Sequence, residues 1–386
     1  MECKTCLNDD KHPFGLGFTP DGRCYGCYTH DEKQRFQLDK LEALIAEMKQ
    51  ARRDVYDCIV PVRGDADDFF VLDVLKSYGI TPLVCYVNSY FNSDIGWKNF
   101  QNLITEFDVD SVSYNPKLNI YKDMVRYSLA KYKCVLLPHK HIFFNFVVYQ
   151  GVKKKIPYIV FGENQATEAT GNFSNLDFSE KSFWQHQVFD FGGRNLDQFS
   201  GSGGQHDPDT LEFYNYDWKL ASRIKGIYLS NYLSWDSLKN NQKALRYGFQ
   251  PQRQVRTFDP FHRSGSSVYY EVQDFLRFKK FGYIKARDHF NREIRYGRIS
   301  RSKAGDALTV YEKKEYNFDA FFDWLNISES GKIWLYDRVF DRAQGPESSN
   351  AKHAVVQLTP ALNQFLPSEQ KDPTSVFVVF DKQLEI

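Results

Sequence analysis

The chain has almost no net charge, and it lacks a long apolar run and a glycine-rich phosphate loop. Its 386 residues hold 50 basic and 49 acidic side chains, so bulk electrostatics gives no reason to bind nucleic acid. No window reaches the roughly 18 uninterrupted apolar residues of a membrane-spanning helix. The opening Met1-Glu2-Cys3-Lys4 has no apolar centre of the secretory kind, so a cytoplasmic location with reduced thiols is expected. No internal repeat is visible, and no glutaminase nucleophile is recognisable. Aromatic residues are plentiful, 33 Phe and 24 Tyr, which predicts a packed globular protein rather than a disordered one. The length predicts two or three structural units.

The seven cysteines divide sharply. Cys3, Cys6, Cys24 and Cys27 are spaced C-x2-C-x17-C-x2-C, whereas Cys58, Cys85 and Cys134 are scattered through apolar runs. Each C-x2-C pair turns two sulfurs toward one point, and two pairs complete a tetrahedron around zinc. Gly15, Gly17, Gly22 and Gly26 supply turns for a short ribbon. Two disulfides, disfavoured in a reducing compartment, or four unconnected thiols are the alternatives. Four protein ligands close the coordination shell, so the expected Zn²⁺ is structural.

Patterning divides the rest. Residues 1–30 form the zinc ribbon, and 31–54 read as one connecting amphipathic helix with Phe36, Leu38, Leu41, Leu44, Ile45 and Met48 as its apolar positions. Residues 55–217 alternate strand and helix. Strands are expected at 58–62, 81–87, 111–114 and 158–161, with a short apolar segment at 134–137. Helices are expected near 69–78, 97–107, 121–132 and 141–153. Such alternation specifies an α/β protein with a Rossmann-like parallel sheet, helices covering both faces. A loop rich in Gly, Ser, Asp and Asn follows at 189–208. Residues 218–329 read as a helical substrate or partner region. The tail, 330–386, is mixed, with an edge strand at 375–380.

Ligands of such sheets sit at the carboxyl ends of the strands. The end of the first strand carries Arg63-Gly64-Asp65-Ala66-Asp67-Asp68, three acids and one glycine where backbone amides at a helix N-terminus would hold phosphate. Asp67 and Asp68 are candidate catalytic residues, and Arg63, Gly64 and Asp65 candidate phosphate ligands. Capping of the following helix by these acids is the ordinary alternative. Asn88, after the second strand, is a candidate for the nucleotide base side. Gly162, Glu163 and Asn164, after the strand at 158–161, are substrate candidates, an acid and an amide suited to ribose hydroxyls, with hydrogen bonding to their own loop as the ordinary alternative. His139, Lys140 and His141 combine candidate general bases with a cation. Lys279, Lys280, Arg292, Arg295, Arg298 and Arg301 form a basic helical region suited to a diphosphate sugar or to solvent.

Taken together, the cysteine quartet, Asp94-Ile-Gly-Trp-Lys-Asn-Phe100, Ile156-Pro-Tyr-Ile-Val-Phe-Gly-Glu-Asn164, Tyr232-Leu-Ser-Trp-Asp-Ser237 and Glu293-Ile-Arg-Tyr-Gly-Arg-Ile-Ser-Arg301 resemble the N-acetyl sugar amidotransferases. These belong to the PP-loop ATP pyrophosphatases, whose α/β domain is of the HUP type. The resemblance covers most of residues 1–325. It implies a role in lipopolysaccharide or flagellar glycan biosynthesis: ATP with Mg²⁺ adenylates an acetamido oxygen, and ammonia displaces AMP to leave an acetamidino group. It implies a sugar or sugar-nucleotide substrate, an ammonia-supplying glutaminase partner of the imidazole-glycerol-phosphate-synthase kind, and possible homo-oligomers. The family loop reads Ser-Gly-Gly-x-Asp-Ser. Here Gly64 and Asp67 match, while both serines and the second glycine are replaced. Aspartate in place of a glycine that allows positive φ costs ~1 kcal/mol. One reading rebuilds the site, with Asp65, Asp67 and Asp68 holding Mg²⁺. The other has lost ATP and keeps an ATP-independent sugar enzyme, a sugar binder or a partner subunit. Transfer-RNA thiolation, an activity of other zinc-bearing PP-loop proteins, needs loop cysteines and a basic surface that this sequence does not show.

Overall fold

The computed structural model describes residues 1–33, 38–176, 194, 196, 211, 213–215, 217–264, 267–314, 318–336 and 377–379. Its centre is a parallel sheet of β1 (Cys58–Val62), β2 (Pro82–Val87), β4 (Ser111–Tyr114), β5 (Tyr158–Phe161) and β6 (Lys225–Tyr228), in the order β4-β2-β1-β5-β6. All five residues of β1 are buried, as a run of Cys, Ile, Val and Pro between two helical layers requires. Alternation assigns them to opposite faces. Ile59 packs with Leu83, Cys85 and Ile159 against α5 (Leu118–Tyr132) and α6 (Leu137–Lys153). Cys58, Val60 and Val62 pack against α2 (Leu38–Ala51), α3 (Ala66–Ser77) and α4 (Asp94–Phe107). Burial pushes the Cys58 thiol up, and the Cys85 thiol to about 12, so both behave as core residues.

The expected α/β sheet is present, with four strand positions as read and helix starts three or four residues earlier. Three expectations change. The connecting helix is two helices, α1 (Tyr25–Glu32) and α2, on either side of residues 34–37, which lie outside the described set. Residues 134–137 form no strand. Pro138 occupies the first turn of α6, where its fixed φ and missing N–H are tolerated, so the helix starts at Leu137. The sheet's last strand, β6, lies past the expected boundary at residue 217. The loop at 189–208 falls outside the described residues except Arg194 and Leu196. Within the tail, Phe377–Val379 pairs antiparallel with β3 (Phe91–Ser93).

The chain reverses its order of strand placement at β1: β2 and β4 lie on one side, β5 and β6 on the other. The β1–β5 register contains one pair, Ile59↔Ile159. Pro61 brings no N–H to a ladder, and the switch point between β1 and β5 is where sheets of this kind place a ligand crevice.

The N-terminal segment docks against the far end of the chain. Leu7 N–H donates to Asn291 Oδ1 at 2.7 Å, Asn291 Nδ2 to Asn8 Oδ1 at 2.6 Å, and Arg301 Nε to the Cys6 carbonyl at 3.1 Å. Behind these contacts Phe258, Ile284, Phe290 and Leu308 form a separate core under the helices Lys285–Arg295 and Arg301–Glu312. Among the described residues no helix is long and apolar enough to cross a membrane.

Candidate functional site

The loop after β1 turns its amides inward onto its own helix. Asp68 Oδ2 accepts from the backbone N–H groups of Arg63, Gly64 and Asp65 at 2.7, 2.9 and 2.9 Å. These are the groups that would hold a phosphate oxygen at a helix N-terminus. The carboxylate of Asp68, standing where the resembled family has its second serine, takes that place. Gly64 makes the turn possible at φ 85°, and a Cβ there would lie 3.0 Å from the Gly96 carbonyl oxygen. The expected assignment of Arg63, Gly64 and Asp65 as phosphate ligands is therefore corrected at the backbone: their amides already have an anion.

All three donors reach one oxygen of Asp68, and the acid is still not a strong one. Burial, then the neighbouring Asp65 charge, outweigh the N–H donors and raise it to about 7. Burial also holds Asp67 well above the usual carboxylate range, with Glu163, Asp68 and Asp65 adding to the effect. Asp67 and Glu163 line the same cleft. The three loop acids do not assemble a cation site: among the described residues only the cysteine quartet brings three or more ligand atoms within 4.8 Å of one another.

A pH signature follows. With its folded value raised from 3.8 to about 7, Asp68 contributes stability that is full below about pH 4 and lost as pH rises through about 7. Buried His139 and His141, lowered to about 3 and about 4, act oppositely over part of that window. The difference between wild type and Asp68→Asn isolates the acid, because the histidines are common to both. Denaturant unfolding is expected to show a smaller penalty for Asp68→Asn at pH 8 than at pH 5, by ~1–2 kcal/mol after allowance for the cleft's water. Equal penalties would show that Asp68 is an ordinary surface acid.

The other candidates divide. Gly162 and Glu163 line the cleft with Arg63, Asp65, Asp67 and Asp68, and so does Lys140. His139 and His141 do not. They lie on the first turn of α6 rather than at a strand end, His139 stacked on Phe143, and burial keeps both neutral. Their candidacy as general bases is withdrawn. Asn88 is 6 % exposed and works inside the protein. It donates to Asn115 Oδ1 at 2.9 Å and accepts from Tyr90 N–H at 2.9 Å and Asn92 Nδ2 at 3.1 Å, so it pins the loop after β2. Asn164 is fully buried and caps the short helix Gln165–Glu168 by accepting from Thr167 N–H at 3.3 Å. Its backbone N–H donates to Ser230 Oγ at 2.8 Å. Both asparagines position loops, and neither lines this cleft.

Half of the cleft comes from residues that strand–helix patterning did not point to. The segment Asp259-Pro-Phe-His262-Arg263 and the helix Lys285–Arg295 close it opposite the loop with His262, Arg263, Lys285, Asp288, His289 and Arg292. The rings of His262 and His289 stand 4.6 Å apart, and His289 Nδ1 lies 2.6 Å from Thr257 Oγ1. Burial lowers both histidines well below their usual range, so both are neutral. Arg292 binds Asp259 at 2.8 Å and Glu293 at 2.7 Å. Arg292 and Arg295 belong to the basic helical region read from the sequence; for the rest the sequence hint is the density of polar residues among aromatics in 257–263.

The cysteine quartet fits a metal ion. Cys3, Cys6, Cys24 and Cys27 are buried, their sulfurs all within 4.8 Å of one another. The separations Cys3–Cys27, 3.9 Å, and Cys6–Cys24, 3.6 Å, bracket the ~3.8 Å edge of a tetrahedron with 2.3 Å metal–sulfur bonds. None of the four is in a disulfide. Donors surround the sulfurs: the N–H groups of Thr5, Cys6 and Cys24 point at Cys3 Sγ at 3.4, 3.5 and 3.2 Å. Arg295 Nε donates to Cys27 Sγ at 3.4 Å and its Nη1 to the Glu168 carbonyl at 2.6 Å, which ties the quartet to the cleft wall. These donors offset thiolate charge. Arg298 goes instead to Asp236, so this part of the basic helix holds the protein together.

Residues 253–350 match a family model described as "LPS biosynthesis protein WbpG-like, C-terminal domain". Arg263, Lys285, Asp288, His289, Arg292 and Arg295 all lie within the match. No curated protein matches the chain. The solved structure of NMN synthetase from Francisella tularensis aligns over 60 % of this chain and 93 % of its own, with 11 % identity and a TM-score of 0.26. What the sequence comparisons contribute is thus one segment: the part of the chain that closes the cleft is similar to the C-terminal domain of a lipopolysaccharide-biosynthesis protein.

Proposed function

We propose that this chain acts on, or binds, an N-acetylated sugar carried as an anionic ester in surface glycan biosynthesis, and that its β1 loop does not hold ATP phosphates. The observation that carries the second half is the Asp68 carboxylate lying across the amides of residues 63–65. A triphosphate seated there would have to displace a carboxylate with three N–H bonds and approach Asp65 and Asp67 as well. The first half is supported by the WbpG-like match and by the open cleft, where acids on the loop face basic residues of the matched segment. Asp67, whose carboxyl burial raises above the usual range, is the candidate general acid, and Glu163 a candidate base or sugar-hydroxyl acceptor. Zinc is the metal we assign to the quartet, in a structural role.

The competing proposal is the ATP- and ammonia-dependent formation of an acetamidino sugar, with a glutaminase partner. One incubation separates them: the full chain with ATP–Mg²⁺, ammonium and UDP-N-acetylglucosamine. The expected result is no AMP above the no-enzyme level, together with calorimetric binding of the sugar nucleotide alone. AMP release that needs both ammonium and the acetamido sugar would overturn the proposal in favour of the amidotransferase.

A further inference from the structure

A second chamber of about 520 Å³ adjoins the loop cleft, bounded by His12–Phe14 of the ribbon, the α5–α6 turn and the helix Ser267–Phe281. Eight basic side chains line it against three carboxylates. The carboxylates are already engaged. Asp274 accepts from Arg256 Nε at 3.0 Å, Arg277 Nη2 at 2.9 Å and the Lys285 backbone N–H at 2.6 Å. Asp288 pairs with Lys285 at 3.2 Å and Arg277 at 3.6 Å. Glu271 accepts from Val255 N–H at 3.1 Å.

Positive charge is left over. Among the described residues Lys133, Arg263 and Lys280 make no ion pair, and buried Arg256 Nη2 and Arg277 Nε have no hydrogen-bond partner. Arg263 holds φ 54°, a conformation that non-glycine side chains rarely adopt, and stacks on Tyr270 at 3.5 Å. Desolvated guanidinium N–H groups without partners are costly, and planar forks of this kind match phosphate oxygens.

We propose that this chamber is the seat of a diphosphate ester, and that it replaces the β1 loop as the phosphate site of the protein. The idea rests on the reading above and deepens it by naming the linkage the substrate carries. Phe14, Lys140, His262, Arg263, Lys285 and Asp288 line both the chamber and the loop cleft, so the two are continuous. A diphosphate held by Arg263, Lys133 and Lys285 leaves one substituent against Tyr270 and Tyr132, and directs the other toward Glu163 and Asp67. The size suits a nucleotide diphosphate.

Calorimetry of the full chain with inorganic pyrophosphate, UDP and inorganic phosphate, all without Mg²⁺, tests this. Pyrophosphate and UDP are expected to bind and phosphate to bind at least about tenfold more weakly. Arg263→Asn, chosen because asparagine accepts the left-handed backbone, and Lys133→Ala should each weaken pyrophosphate about tenfold, with thermal midpoints near wild type. Lys98→Ala, on α4 outside the chamber, should change nothing. The placement is overturned if pyrophosphate fails to bind, or if all three variants weaken it alike. It is also overturned if it binds to Arg263→Asn and Lys133→Ala as to wild type. None of these outcomes touches the AMP-release assay, so the two proposals fail separately.

Discussion

Replacing Cys24 by serine is expected to abolish metal content and unfold the N-terminal segment. The quartet is buried, and the segment around it has only isolated bridges, Glu2↔Asp9 and Phe18↔Cys24, with Leu16 and Phe18 as its apolar neighbours. A structural zinc supplies on the order of 10 kcal/mol to such a segment, more than any single contact there can. The consequences travel: α1 starts at the Cys24 N-cap, Lys33 at its end pairs with Glu168 and donates to the Trp235 carbonyl at 2.7 Å, and Arg295 reaches the sulfurs from the cleft wall. His12, Pro13 and Phe14 would also leave the cationic chamber. Elemental analysis should therefore fall from about one zinc per chain to none, with a lowered thermal midpoint and weakened pyrophosphate binding. A metal-free variant with the wild-type midpoint would show that the cysteines pack without a metal.

Asp68→Ala is expected to destabilise the α/β unit by ~2–4 kcal/mol, although it deletes only an acid at a helix start. Three amides lose their acceptor at once. Water from the cleft recovers part of the loss, which keeps the figure below the sum of three fully buried donors. Asp68→Asn keeps an acceptor oxygen and should cost less, ~1 kcal/mol at neutral pH. Denaturant unfolding of the two variants side by side reads this difference. If alanine and asparagine cost the same few tenths, the loop does not depend on Asp68.

The sheet was legible because both of its faces are buried: continuous Val, Ile and Cys runs such as Cys58–Val62 suit an interior strand, although the apolar run at 134–137 leads into a helix instead. The quartet was legible because metal geometry constrains spacing within a short segment. The loop was legible as an anomaly only. Three aspartates at the phosphate position signal a changed site, yet nothing in the string says that Asp68 folds back onto residues 63–65. His139 and His141 were misplaced for a definite reason: Pro138 reads equally as the end of a strand and as the first turn of a helix. Asn88 and Asn164 had the right positions along the chain, and local hydrogen bonding absorbed them. The largest omission, residues 257–263 with Asp288 and His289, reaches the crevice by tertiary packing over 200 residues of sequence, for which periodicity carries no signal.

We propose that the loop after β1 has given up phosphate to its own Asp68. Backbone amide resonances of Arg63, Gly64 and Asp65, followed at pH 8 while ATP–Mg²⁺ is added to the full chain, read that directly. They should stay in place, with any shifts falling on residues of the cationic chamber such as Arg263. Movement of all three loop amides together with saturation by ATP would mean that the nucleotide displaces Asp68 and that the loop still holds phosphate.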